Sequence, residues 1–147
     1  MKKLALILLI SLVFLLIFLM GNRFVEEDII SICNEIRAEQ GLPPLNINWE
    51  AARVARYKTE DMMKHKYFCH NSPVYGSFLD MLKNFHLPYK SAGENIAFGF
   101  SSPQDVVKAW MESEVHRENI LSESFTQGGV GYSTDGFVHY WALILLE

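Results

Sequence analysis

Hydrophobic positions divide the chain into one unbroken apolar run and several shorter periodic segments. The run extends from Leu4 to Met20 behind two lysines and ends at Gly21. A helix of that length measures about 25 Å, short for a membrane span but longer than the apolar core of most cleaved signals. We therefore interpret residues 1–21 as a signal anchor or signal peptide, and residues 22–147 as one domain outside the cytoplasm.

Three later segments have apolar residues at helical spacing, and a short fourth helix is expected between two of them. In the first segment, acidic residues occupy the opening turn, where the helix dipole favours them, and Gly41 marks the end. Asn48 is a suitable N-cap for the second, whose small residues along one side predict close packing on a neighbour. Ser102, followed by proline, caps the last. The predicted helices span residues 25–40, 48–66, 78–84 and 103–113.

Strand patterns are found in the C-terminal part of the chain. TQGGVGYS, a turn at residues 134–136 and FVHYWALILL predict a hairpin, and the glycines of its first strand indicate close backbone approach by a neighbour. ENIAFGF at residues 94–100 predicts a third strand. Because the last strand is apolar on both faces, we expect helices on both sides of the sheet. Helices followed by antiparallel strands indicate an α+β fold.

The charge of the chain excludes one class of partner. The formal net charge is −4. Without Lys2 and Lys3, 11 basic residues stand against 17 acidic ones, which gives the exported part a charge of −6. This part has no basic footprint for nucleic acid or anionic lipid, so no nucleic-acid partner is predicted.

The chain has two cysteines, Cys33 and Cys69. Export would permit a disulfide between them. Two free, buried thiols are the alternative.

Four short patterns occur in a fixed order: FCHNSP, GENIA, AWMESEVHRENIL and FTQGGVGY. Together with NEIRAEQGLPPL and the helix after it, they make residues 25–146 resemble the CAP superfamily, also called the SCP or PR-1 family, in its bacterial form. The resemblance implies an α-β-α sandwich, in which a small antiparallel sheet lies between helix layers beneath a large cleft.

The resemblance also implies that two histidines and two acids lie on the floor of this cleft. His70 and His116 match the histidines, and Glu94 matches the acid of the GEN turn. Two imidazoles and a carboxylate with an open fourth position are also the ligands of a catalytic zinc site, so these three residues are candidate metal ligands. A polar cluster in which Glu94 only orients the histidines is the alternative.

The fourth position of the cleft departs from the family pattern. Ser113 stands where plant and animal relatives have the second acid. Glu112 or Glu114 could supply this acid, or no residue does. No catalytic residue is assigned.

These observations predict an exported domain, anchored to the membrane through residues 4–20, that binds a ligand or a metal in its His/Glu cleft. A peptide, a glycan or an apolar small molecule would suit such a cleft. The alternative is a metal-assisted hydrolase of a peptide or cell-wall substrate that uses His70, Glu94 and His116. A membrane-tethered scaffold is a third hypothesis.

Overall fold

The computed structural model describes residues 2–147, without the side chains at positions 2, 3, 5, 18, 19, 22 and 23. Its helices are α1 (Lys2–Glu39), α2 (Trp49–His65), α3 (Phe78–Asn84), α4 (Pro103–Glu112) and α5 (Glu114–Leu121). Its strands are β1 (Asn46–Ile47), β2 (Ala92–Phe98), β3 (Gln127–Thr134) and β4 (His139–Leu146).

The four strands form one sheet in the order β1-β3-β4-β2. Only β1 pairs in parallel, with β3. Along β4, Trp141, Leu143 and Leu145 pack with buried residues of α1, α4 and α5, whereas Ala142 and Ile144 pack with those of α2 and α3. Since alternate residues of a strand point to opposite faces, the sheet lies between two helix layers. The predicted α-β-α sandwich is confirmed.

Helix α2 lies directly on β3 because two glycines of this strand leave room for its backbone. A Cβ atom at Gly129 would lie 2.1 Å from the backbone nitrogen of Ala52, and one at Gly131 would lie 2.2 Å from the carbonyl carbon of Ala55. The small residues predicted on one side of α2 face these glycines. The close backbone approach predicted from TQGGVGYS is therefore present.

Helix α1 joins two segments that the sequence separates. The predicted helix over residues 25–40 is present, but it continues without a break into the apolar segment that precedes it. The described apolar side chains between Leu4 and Met20 are all exposed. Among the residues that the structure describes, no helix combines the length and the hydropathy needed to cross a membrane.

Arg37 of α1 is completely buried and faces backbone rather than an acid. Its guanidinium donates hydrogen bonds of 2.8–3.0 Å to the carbonyl oxygens of Pro43, Ile120, Ser122 and Phe125. These four carbonyls belong to the loop after α1, the end of α5 and the segment that leads into β3. Arg37 therefore fixes the position of α5 against α1.

The predicted pairing of Cys33 with Cys69 needs correction, because both cysteines are free. Cys33 lies in the core layer with Trp110 and is fully buried, and burial raises the pKa of its thiol to about 12. Cys69 is exposed and follows α2, on the other side of the sheet. The sheet separates the two thiols, so they cannot reach bonding distance.

Candidate functional site

The three matched residues approach one another at the free edge of β2. His70 lies in the loop after α2, Glu94 lies on β2 and His116 lies on α5. Strand β2 has a neighbour only on one side, so side chains from both helix layers can meet along its other side. Three separate elements thus bring together residues that are far apart in the sequence.

His70 and Glu94 form a close pair, with 2.6 Å between Nδ1 of the imidazole and Oε1 of the carboxylate. The Glu94 side chain is 2% exposed and the His70 side chain is 52% exposed. Because a carboxylate only accepts hydrogen bonds, Nδ1 carries the proton and its N–H donates a hydrogen bond to Oε1. Nε2 of the neutral ring then has a free lone pair, which can accept a hydrogen bond or bind an electrophile.

The second carboxylate oxygen of Glu94 has a different environment. Oε2 is buried and has no hydrogen-bond partner among the described residues. The ammonium group of Lys58 lies close enough to interact electrostatically with Glu94. A neighbouring positive charge offsets part of the cost of burying the carboxylate.

Lys58 of α2 is 1% exposed and holds the backbone that carries His70. Its Nζ donates hydrogen bonds to the carbonyl oxygens of Cys69, at 2.7 Å, and of His70, at 2.8 Å. Burial lowers the pKa of Lys58, and the charges of Glu94 and Asp61 oppose that shift. The orientation of His70 is therefore fixed twice, by the hydrogen bonds of Lys58 to its backbone and by the hydrogen bond of its ring to Glu94.

Asp61, one helical turn after Lys58, fixes the rest of this loop. Its Oδ2 accepts hydrogen bonds from the hydroxyl of Tyr67 and, at 2.6 Å, from Oγ of Ser72. Burial, together with the carboxylate of Asp61, raises the pKa of the Tyr67 phenol. Ser72 Oγ in turn accepts from the N–H of Val74 at 2.9 Å, which closes the turn. Loop residues on both sides of His70 are thus anchored to α2.

Replacing Lys58 with methionine should destabilise the domain and release His70. The change leaves two carbonyls and Glu94 without their cation, and hydrogen bonds to a charged group contribute about 1.5–3 kcal/mol. We expect a loss of about 3 kcal/mol in the free energy of unfolding, measured in urea, with a shift of the His70 imidazole signals in NMR spectra. Lys64→Met, in the exposed last turn of α2, is the control. Equal losses in the two variants would show that Lys58 has no special role.

Two asparagines hold the backbone of α5 that carries His116. Asn95, the completely buried neighbour of Glu94, donates from Nδ2 to the carbonyl oxygen of His116 at 2.9 Å. Asn119 donates from its own Nδ2 to Oδ1 of Asn95 at 2.8 Å. Consecutive residues of β2 therefore position the two histidines from opposite faces of the sheet.

His116 should titrate at a lower pH than an ordinary histidine. Burial lowers the pKa of its imidazole, and the nearby charge of His70 lowers it further. As the pH falls through about 6.5, the unfolded chain binds this proton before the folded chain does, so His116 lowers stability on the acid side. An NMR titration should give a midpoint below 6.5 that rises in His70→Ala. A midpoint at or above 6.5, or one that His70→Ala leaves unchanged, would refute this account.

No acidic side chain stands at the position of the second family acid, which Ser113 occupies. Ser113 ends α4 with an extended backbone (φ −95°, ψ 123°) and α5 starts immediately after it. Glu112 and Glu114 are exposed, and within the described residues no hydrogen bond or ion pair joins either of them to the three matched residues. The break at Ser113 also separates Glu112 from His116, so they do not share one helical face.

The described residues contain no group of three or more histidine, cysteine, aspartate or glutamate side chains arranged to hold a metal ion. Nδ1 of His70 is used in the bond to Glu94, and the remaining oxygen of Glu94 is buried. The residues present thus do not fit a ready-made zinc site. The zinc prediction gains no support from this geometry.

Exposed aromatic side chains lie in the loop that carries His70 and on the strand that carries Glu94. Phe68, two residues before His70, is 49% exposed and lies 5.7 Å from the ring of Phe98, which is 45% exposed. The Phe98 ring in turn contacts that of Tyr140 at 5.1 Å. The loop of His70 therefore presents both an exposed imidazole and an exposed aromatic ring.

The sequence matches one family model, that of the cysteine-rich secretory protein family (CAP), over residues 30–145. Two curated proteins of Bacillus subtilis (strain 168) are similar to it. The chain is 50% identical to the uncharacterized protein YkwD over 113 residues, which are 77% of this chain and 44% of that protein. It is 38% identical to the uncharacterized membrane protein YlbC over 120 residues, which are 79% of this chain and 35% of that protein.

The fold is similar to that of a solved structure, an extracellular protein from Bacillus anthracis str. Ames that contains an SCP domain. The TM-score is 0.80 at 32% sequence identity, and the match covers 86% of this chain and 41% of the other. This chain therefore spans less than half the length of each of these three relatives.

Proposed function

Because this chain belongs to the CAP family of cysteine-rich secretory proteins, we propose that it is an extracytoplasmic binding domain whose ligand contacts His70. The supporting observation is the pair formed by His70 and Glu94. A half-exposed imidazole on a buried carboxylate, at 2.6 Å, has a fixed orientation and a free Nε2. Such a group is suited to recognising a polar hydrogen on a ligand.

The surroundings of the pair favour a ligand with both polar and apolar parts. Phe68, two residues before His70 in the same loop, forms an exposed aromatic surface with Phe98. Aromatic side chains contribute large apolar contacts, while a few polar groups fix orientation. A peptide, a glycan or a small apolar molecule with a hydrogen-bond donor meets this description.

We place the domain outside the cytoplasm and on a membrane. One solved relative is named an extracellular protein and one curated relative is named a membrane protein. The apolar segment of residues 4–20 supports the same proposal, since its described apolar side chains are exposed. Flotation of the full chain with lipid vesicles tests the anchoring.

The binding proposal is tested by a ligand-observed NMR screen of cell-surface peptides, glycans and apolar small molecules against the full chain in nanodiscs. We expect to find ligands that receive saturation transfer from the wild-type protein and from His86→Asn, but not from His70→Ala. His86 is an exposed histidine with φ 55°, a conformation that asparagine tolerates, so its replacement is a matched control. If every ligand binds His70→Ala as well as the wild type, the cleft is not the binding site.

Hydrolysis of a peptide or cell-wall substrate is the second candidate, because the same pair has the arrangement of a general base and its orienting carboxylate. The observation that favours it is again the 2.6 Å contact between His70 and Glu94. Incubation of the full chain with peptides and cell-wall fragments, with and without added zinc, tests it. Product release that disappears in His70→Ala supports hydrolysis, and release that survives in this variant excludes His70 as the base.

A further inference from the structure

The apolar segment of α1 leaves the domain at the end where β3 turns into β4. Ile30 lies beside Gly128, since a Cβ there would lie 2.9 Å from its Cδ1, and Glu26 accepts a hydrogen bond from the N–H of Tyr132 at 3.2 Å. Moving backwards along α1 therefore means moving forwards along β3, towards the hairpin turn. Phe24, the next exposed apolar residue in that direction, is 60% exposed.

Exposed phenylalanines are found at this same end of the sheet. Phe137, at the tip of the hairpin, is 92% exposed, and the carboxylate of Asp135 accepts its N–H at 3.0 Å, which fixes the turn. The end of β2 lies beside the start of β4, and here Phe98 and Phe100 are 45% and 37% exposed. The indole of Trp141 donates to the carbonyl of Phe100 at 2.8 Å. These side chains are thus presented to solvent by ordered backbone.

Helix α2 also ends here, because its course follows that of β3. Thr59 Oγ1 lies 2.8 Å from Oγ of Ser133, near the end of β3. The exposed Lys64 and Lys66 follow within two turns. The charge of Lys66 acts on Asp135 of the hairpin turn, so the positive charge at this end is partly offset.

We propose that this phenylalanine end, formed by Phe24, Phe100 and Phe137, inserts into the lipid–water interface of a phospholipid bilayer. The inference rests on the proposed membrane anchoring through residues 4–20. Exposed aromatic residues beside an apolar helix are typical of membrane interfaces. Because α1 is continuous from the apolar segment into the core, the domain would have a fixed orientation relative to the membrane.

This orientation determines how far the His70 site lies from the membrane. Glu94 precedes Phe98 by four residues on β2, which corresponds to about 13 Å. The His70 pair would therefore lie close above the lipid headgroups. The cleft would meet ligands that are attached to, or concentrated at, the membrane surface.

Fluorescence quenching by brominated lipid tests the inference. The full chain carrying Phe137→Trp is reconstituted into phosphatidylcholine vesicles with brominated acyl chains, and the emission of the wild type is subtracted. Tyr89→Trp is the matched control, since Tyr89 is 38% exposed and lies at the opposite end of the sheet. Its neighbour Lys90 donates its backbone N–H to the carbonyl oxygen of Glu147, directly after the end of β4. We expect the added emission to be lost for Phe137→Trp and kept for Tyr89→Trp.

Each other outcome overturns the proposal at an identifiable point. If the chains float with the vesicles but Phe137→Trp keeps its emission, the chain is anchored and its phenylalanine end is not in lipid. Equal quenching of both variants contradicts the fixed orientation. If the chains do not float with the vesicles, the proposed membrane anchoring is wrong. If Phe137→Trp is shielded in a dimer that forms without lipid, this end binds a second copy of the chain instead of a bilayer.

Discussion

Replacing Gly131 with alanine is expected to lower the free energy of unfolding by about 5 kcal/mol or more, enough to unfold many domains of this size. The new Cβ would lie 2.2 Å from the carbonyl carbon of Ala55 and 2.3 Å from the backbone nitrogen of Arg56. Neither atom can move away unless all of α2 is displaced from β3. Because α2 carries Lys58 and Asp61, such a displacement would also release the loop of His70.

Gly128→Ala on the same strand is the matched control for this prediction. There the new Cβ would meet the Cδ1 of Ile30 at 2.9 Å, the far end of a flexible side chain. We expect a loss of about 1–3 kcal/mol, as for moderate overpacking. Urea unfolding of both variants gives the comparison, and similar losses would contradict the proposed backbone contact between α2 and β3.

Replacing Arg37 with methionine is expected to lower the free energy of unfolding by about 4 kcal/mol. The aliphatic part is conserved, but the carbonyls of Pro43, Ile120, Ser122 and Phe125 lose their donor. A buried carbonyl without a partner costs about 1–3 kcal/mol, and water that enters the space would recover part of the total. Because Arg37 holds the end of α5, the NMR signals of His116 should shift as well.

Arg53→Met is the control for Arg37→Met. Arg53 is 42% exposed and pairs with Glu50 across one helical turn, an arrangement that contributes less than about 1 kcal/mol. Urea unfolding at neutral pH measures both variants. If Arg37→Met lost no more stability than Arg53→Met, the buried guanidinium would not hold α5 against α1.

Local signals explain why most elements could be predicted. Asn48 accepts a hydrogen bond from the N–H of Ala51, as an N-cap does, and Ser102 accepts from that of Asp105. The predicted short helix over residues 78–84 begins with a capping box formed by Ser77 and Asp80. In each case the residues that determine the boundary are neighbours in sequence, so the pattern is visible without the fold.

The charged residues in the core could not be predicted in the same way. Arg37, Lys58 and Asp61 lie on helices whose sequences contain many exposed charges, and nothing near them in sequence distinguishes them. Their partners are carbonyls and hydroxyls of loops that the fold brings to them. The exception is Lys58 with Asp61, whose spacing of one turn places both on the inner side of α2, next to Ala55.

Two further differences have the same origin. The sequence leaves open whether Cys33 and Cys69 form a disulfide or stay free, and only the fold shows that the sheet separates them. The helix predicted over residues 103–113 ends at Ser113, but the sequence does not predict α5, which starts immediately after it. Ser113 makes no side-chain capping hydrogen bond to α5, so no local signal marks the start of this helix. Both depend on packing between segments rather than on local preference.

Glu94 is expected to hold His70 in one tautomer and to leave Nε2 free for a ligand. The direct measurement is a long-range ¹H–¹⁵N correlation spectrum of the histidine rings at a pH of about 8.5, where a histidine of ordinary pKa is neutral. We expect His70 as the Nδ1–H tautomer in the wild type and a loss of this preference in Glu94→Ala. A wild-type His70 protonated on Nε2, or a tautomer that Glu94→Ala leaves unchanged, would contradict the account.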